Sequence, residues 1–158
     1  MAYNTIKLKS YVDNIEEKIA NAAITPGMLI EPMSTDKVRA HATAEGNALP
    51  MFALEDDLQG NAIGDAYAAD DPVQCWIPVR GDEVYAILAD GYDADIGSKL
   101  VSNGDGYLRT HTAEVQSDAE ATEQIVAEAL EAVDTSDSSG GESSGALAYA
   151  RRIKVRVA

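Results

Sequence analysis

The chain has 158 residues, with 27 Asp and Glu against 12 Lys and Arg, for a formal net charge of −15. That length suits one domain with a core of real size. The acid excess argues against binding nucleic acid through phosphate neutralisation, which needs clustered bases.

Residues 3–12, YNTIKLKSYV, alternate Ile6, Leu8, Ser10 and Val12 against Thr5, Lys7, Lys9 and Tyr11, the period of a strand or extended arm. Val12, Ile15, Ile19 and Ala22 or Ala23 then recur at helical spacing, with Ser10 and Asp13 as N-cap candidates. Residues 1–23 therefore read as an N-terminal arm carrying one short helix. The longest apolar stretch, IANAAITPGMLI, is broken by Pro26 and Gly27 and is too short to cross a bilayer, so no membrane role is expected.

From Thr25 to Arg109 the texture changes. Turn signals such as Pro26-Gly27, Gln59-Gly60-Asn61, Arg80-Gly81-Asp82 and Asn103-Gly104-Asp105-Gly106 punctuate short apolar runs, among them GMLIEPM, LPMFAL, VQCWIPV and EVYAILA. That rhythm predicts an all-β barrel or sandwich, with Pro50, Pro72 and Pro78 at strand starts or edges. Much of the apolar content is alanine, with one Phe and one Trp, which predicts a thin core that leans on oligomerisation or a partner. Cys75, the sole cysteine, sits in an apolar run and reads as a buried thiol.

Residues 113–133 are ambiguous. Ile125, Val126, Ala129, Leu130 and Val133 sit at helical offsets among good helix formers, yet QIVAEALEAV also alternates. The polar, glycine-rich DTSDSSGGESSG at 134–145 reads as a flexible loop. The closing RRIKVRVA alternates Ile153, Val155 and Val157 against Arg152, Lys154 and Arg156, and predicts a strand.

Few motifs point to chemistry. Arg80-Gly81-Asp82 reads as a hairpin turn rather than an adhesion signal. Asp90, Asp93 and Asp95 are the candidate cation ligands, but they lack the ordered oxygen spacing and closing glutamate of an EF-hand, so a solvated loop is expected. His41 and His111 have no partner at zinc-ligand spacing, and no nucleophile elbow or phosphate-binding glycine pattern occurs. The residues thus suggest neither catalysis nor a cofactor.

The order of features resembles the head decoration, or capsid cement, proteins of tailed viruses. The elements that carry the likeness are ITPGMLIE, the central stretch from ALPMFALEDD to VRGDEVYAIL, GYDADIGSKLVSNGDGYLR, then IVAEALEAVD, a polar Ser/Gly loop and a terminal RIKVRV. It covers residues 24–158, with residues 1–23 as an addition to the family pattern. The resemblance implies a mainly β, small barrel or sandwich-like (β-tulip-type) domain, and strand rather than helix for 125–133, paired with 151–157. It further implies a non-catalytic, commonly trimeric protein without cofactor. Its partner would be the major capsid protein, bound on the outer face of the virion where capsid subunits meet. Candidate contacts to capsid or neighbouring subunit are Tyr3, Ile6, Leu8 and Tyr11 in the arm. Arg152, Lys154 and Arg156 join them, facing the protein's own acids or a neighbour's. The lysine-poor acid excess points to a virus of a halophilic host. The alternatives are a tail-tube, fibre-base or head-completion protein, or a surface β binding module.

Overall fold

The structure, a computed structural model, describes residues 3–112, 124–136 and 151–158. Of the described residues 40% are strand and 2% helix, with no helix of 7 or more residues among them, so the expected mainly β class holds. The chain begins in one sheet with β1 (Lys7–Lys9). It leaves to build a second from β2 (Ile15–Ala20), β3 (Ile30–Pro32), β4 (Lys37–Ala40), β5 (Phe52–Ala53) and β6 (Pro72–Trp76). It then returns through β7 (Glu83–Leu88), β8 (Asp93–Ala94), β9 (Lys99–Ser102), β10 (Leu108–Thr110), β11 (Ala127–Ala129), β12 (Val133–Asp134) and β13 (Arg151–Val157). β8 and β12 pair off as a separate ribbon.

The first sheet closes on itself. β7, β10, β9, β11 and β13 follow one another, and β13 pairs back onto β7, giving a five-stranded barrel with β1 attached to β7. The closing pair runs antiparallel from Arg151↔Leu88 to Arg156↔Glu83. β11 lies on the other side of β13, with Ala127↔Val157 and Ala129↔Val155, as the resemblance led us to expect against local helix propensity. The short β11 is sandwiched between β9 and β13, so sheet pairing on both edges outweighs the preference of Ala and Glu for helix. The second sheet has the order β3-β4-β2-β6-β5, and an antiparallel Leu29↔Phe52 bridge brings its two ends together.

Successive side chains on a strand point to opposite faces, and this decides how the two sheets share material. Leu29, Phe52, Leu54 and Trp76 pack into the barrel core. Their neighbours Ile30, Met51, Ala53, Val73 and Cys75 pack into a second core inside the curled sheet. β5, the Cys75-Trp76 end of β6 and the start of β3 thus form a wall buried on both faces, which is why their sequences are apolar runs. The lone Phe and the lone Trp are both fully buried in that wall, so the scarce large side chains are concentrated where two cores meet.

The N-terminal segment departs from expectation. The short helix is absent: residues 15–20 form β2, central in the second sheet, antiparallel to β6 from Ile15↔Trp76 to Ile19↔Pro72 and parallel to β4. Ile15 and Ile19 are four apart, and a spacing of four returns to the same face of a strand as well as to one side of a helix. The periodicity could not separate the two, and sheet pairing on both edges decided it. Ser10 and Asp13 cap nothing; the Ser10 hydroxyl donates to the Val12 carbonyl at 2.8 Å and meets Asp13 Oδ1 at 3.0 Å within a turn. Nor do residues 3–23 form a detached arm, because β1 pairs with β7 and Ile6 is fully buried in the barrel core. The Ile6 amide also donates to the buried Glu55 carboxylate at 3.1 Å.

Two outcomes follow from this placement. Ile6→Ala is expected to destabilise the fold by about 2–5 kcal/mol, read from urea denaturation. Removing residues 1–11 is expected to abolish the cooperative transition; a truncated chain that melts like the parent would contradict the buried role of this segment.

Candidate interaction surfaces

The terminal strand carries three bases on its outward face, and each has a different task. Arg152 Nη1 donates to the Pro26 carbonyl at 2.8 Å and Nη2 to the Ile63 carbonyl at 2.5 Å, while the guanidinium lies 5.9 Å from the Tyr85 ring centroid. Burial pulls its pKa down, with the Tyr85 phenol and the Glu55 carboxylate acting the other way. It therefore fastens the barrel to loops of the second sheet and is not available to a partner, which corrects the sequence expectation.

The approach requires Gly27. Its φ is +93°, and a Cβ there would stand 2.5 Å from Arg152 Nη1 and 2.9 Å from the Tyr85 carbonyl oxygen.

Lys154 is also used internally. Its Nζ is 2.7 Å from Glu83 Oε2, and the Tyr3 ring lies beneath it with the centroid at 6.0 Å. The Lys154 hydrogen bond holds Glu83 below its usual carboxylate range, against some desolvation, and Glu83 in turn raises Lys154. Tyr3 stands edge-on to Tyr85 with centroids 5.1 Å apart, so it too is engaged within the chain. Arg156 is exposed, and its cross-strand neighbours are Glu83 on β7 and Glu128 on β11. Adding Lys9↔Glu83 and Glu128↔Lys99 gives a row of alternating charge across five strands, Lys9, Glu83, Arg156, Glu128 and Lys99. Opposite charges facing each other across strands stabilise a sheet by about 0.2–1 kcal/mol per pair.

Of the four N-terminal candidates, Ile6 is in the core and Leu8 is half-buried in β1. Tyr11 is the exposed one, at 64%, with Lys9 Nζ 5.1 Å from its ring centroid. Sequence reasoning missed its neighbours. Val12 is 55% exposed, and Ile15 and Ile19 share the outward face of β2 at 42% and 39%. Ile15 also lines a shallow groove of about 260 Å³ with Leu58, Asp56, Asp57 and Gln74. Leu58 is almost wholly exposed on the 3-10 turn at Asp57–Gln59. Val12, Ile15 and Ile19 were read at the spacing of a helix; the signal that marks Ile15 and Ile19 as outward is Glu17, which stands between them on the same face of β2. A second, mostly apolar cavity of about 430 Å³ opens into the second core, between Ile30, Val38 and Met51, with Glu16, Lys18 and the exposed Leu49 on its lining.

The candidate cation ligands are not brought together. Asp93 lies exposed in β8 and Asp95 turns toward β9, accepting the Ser98 amide through its backbone carbonyl at 3.0 Å. Asp90 Oδ1 is buried without a hydrogen-bond partner, but among the described residues no three metal-ligating side chains converge. His41 is buried with Nδ1 2.6 Å from Ser102 Oγ and Nε2 3.6 Å from Glu31 Oε2, a contact between β4, β9 and β3. Arg80-Gly81-Asp82 is a turn but not the expected hairpin, because the strands it joins, β6 and β7, lie in different sheets; Asp82 is fully buried, accepting the Tyr11 and Val79 amides at 2.9 Å each. The loop expected at 134–145 falls at 137–145 outside the described residues; before it, Asp134 ends β12 and Thr135 is buried, donating to the Ala89 carbonyl at 2.8 Å.

No protein-family model matches the chain, and no curated protein matches it.

Two measurements check this geometry. Gly27→Ala should cost about 2–3 kcal/mol, combining backbone strain with displacement of Arg152, read as a fall in urea midpoint at constant slope. Burial pushes the Cys75 thiol up to about 11. A thiol reagent at neutral pH should leave it unlabelled in the native state and label it in denaturant; fast native labelling would contradict the burial of Cys75.

Proposed function

We propose that this chain is a structural, non-catalytic virion protein that binds the outer surface of a tailed-virus capsid and reinforces the lattice of the major capsid protein. The observation that carries the proposal is the apolar surface around β2. Tyr11, Val12, Ile15, Ile19 and Leu58 are exposed on a chain whose other large apolar side chains are mostly buried. Exposed apolar groups gathered in this way mark a contact surface. Ile15 and Ile19 stand on the middle strand of a sheet stapled to a closed barrel, so docking on them needs no reordering of the backbone, and little affinity is lost to ordering. Asp56, Asp57 and Glu17 border the surface, which suits a partner offering apolar anchors within a basic rim.

The resemblance in feature order and the mainly β architecture support the same reading. A homotrimer would tie several capsid subunits together, each contact raising the effective concentration of the next. The barrel also suits a mechanical role, because strands paired on both sides leave few free edges. The acid excess, with Lys and Arg together at 12, fits a virus of a halophilic host.

Copy number in purified virions is the direct test. A number near that of the major capsid protein supports decoration; a few copies, or a ring or polymer of the isolated protein, sinks it in favour of a tail component. Val12→Ser with Ile19→Ser should weaken capsid attachment by about tenfold or more while leaving circular dichroism unchanged. Raising potassium chloride from about 0.1 M to about 2 M screens the self-repulsion of the acidic surface, and should raise Tm by more than about 5 °C. A Tm that falls with salt would count against the halophilic setting.

A further inference from the structure

A second surface has the opposite character. Most cations of this acidic chain are committed within it: Lys7 to Asp13, Lys18 to Asp36, Lys37 to Asp70, Arg39 to Glu31, Arg109 to Glu45 and Lys154 to Glu83. Arg80 and Arg156 differ. Both are exposed, and among the described residues neither side chain makes an ion pair within 4 Å or a hydrogen bond; Arg156 feels its cross-strand neighbour Glu83 only through a longer-range attraction. They line one groove of about 460 Å³, together with Lys99, Ile125 and Val157, and Glu128 is the one acidic side chain on its wall. Glu128 is already engaged by Lys99 at 3.2 Å.

The groove is held in shape by backbone. The Gly81 amide donates to the Val157 carbonyl at 3.0 Å and the Val157 amide to the Asp82 carbonyl at 2.9 Å, so the turn that carries Arg80 is tied to the strand that carries Arg156. The buried Asp82 carboxylate fixes that turn further by accepting the Val79 amide. Lys99 and Arg156 stand on either side of Glu128 in the cross-strand row. Two guanidiniums are thereby presented on a rigid frame, without the cost of ordering a loop.

We propose that this groove is a docking site for an acidic polypeptide segment of a partner protein, with Arg80 and Arg156 each taking a carboxylate. Guanidinium binds carboxylate through two parallel N–H···O bonds, and neither donor fork has to be freed from an internal partner. The apolar side chain of Ile125 on its lining suits the stems of side chains rather than a bare phosphate chain. A nucleic acid would meet the field of the whole molecule at net charge −15, whereas a short acidic segment engages only the local positive groove. This inference goes beyond the capsid reading and stands without it, since it specifies the chemistry of a bound segment and not the assembly to which it belongs.

The test uses the full chain and a fluorescein-labelled octapeptide of alternating glutamate and glycine, followed by anisotropy at about 50 mM salt. Binding to the parent, weakened about tenfold in Arg80→Gln/Arg156→Gln and unchanged in Lys37→Gln, supports the proposal. The single change Arg80→Gln, on an exposed turn, should give an intermediate loss with unchanged circular dichroism. The proposal is overturned if the parent does not bind, if the double variant binds equally well, or if a DNA dodecamer binds more tightly than the peptide. Self-association of the parent that the double variant abolishes would also overturn it, by assigning the groove to a second copy of this chain.

Discussion

The position of β13 is the constraint on which the rest of the molecule depends. This last strand lies between β7 and β11, and its pairing with β7 over six consecutive residues turns an open sheet into a barrel. Its inward side chains, Ile153, Val155 and Val157, fill the barrel core. Its outward Arg152 reaches the carbonyls of Pro26 and Ile63, so the same strand that closes one unit binds it to the other. Moving β13 by one residue would bury its bases and expose its apolar side chains, a penalty that fixes the register.

The second sheet depends on the barrel in turn. It is inserted between β1 and β7, so both of its chain connections begin or end at barrel strands. Its wall formed by β5 and β6 serves two cores at once, with Phe52 and Trp76 on one side and Ala53 and Cys75 on the other. Where that wall is buried on both faces, at Phe52, Ala53, Cys75 and Trp76, it has no polar side on which substitutions are cheap. The two cores are therefore expected to lose stability together when that wall is disturbed.

Charge is distributed with the same economy. An excess of acid keeps molecules apart and strains the folded state by self-repulsion. Cations placed at Lys154, Arg109 and Lys99, each beside a carboxylate, relieve that repulsion where strands meet. The apolar surface around β2 and the uncommitted arginines at the barrel end are the places where this internal economy stops. They are accordingly the surfaces through which a partner is expected to be met.

What the sequence determined by itself is the strand texture from Thr25 onward and the alternation of RRIKVRVA, because a period of two is unambiguous where turn residues bracket it. The burial of Cys75 and the turn at Arg80-Gly81-Asp82 were legible for the same local reasons. What only the tertiary structure decided is where period alone is degenerate or partners lie far apart in the chain. The spacing of Ile15 and Ile19 satisfied both a helix and a strand, and pairing with β6 and β4 chose the strand and turned both side chains outward. Ile6 was read as a contact residue of an arm, yet a partner 49 residues away, Glu55, and a slot in the barrel core made it structural. Arg152 was read as facing acids, and two backbone carbonyls from distant loops claimed it, because the guanidinium lies against Gly27 where both oxygens stand in place to accept its hydrogen bonds.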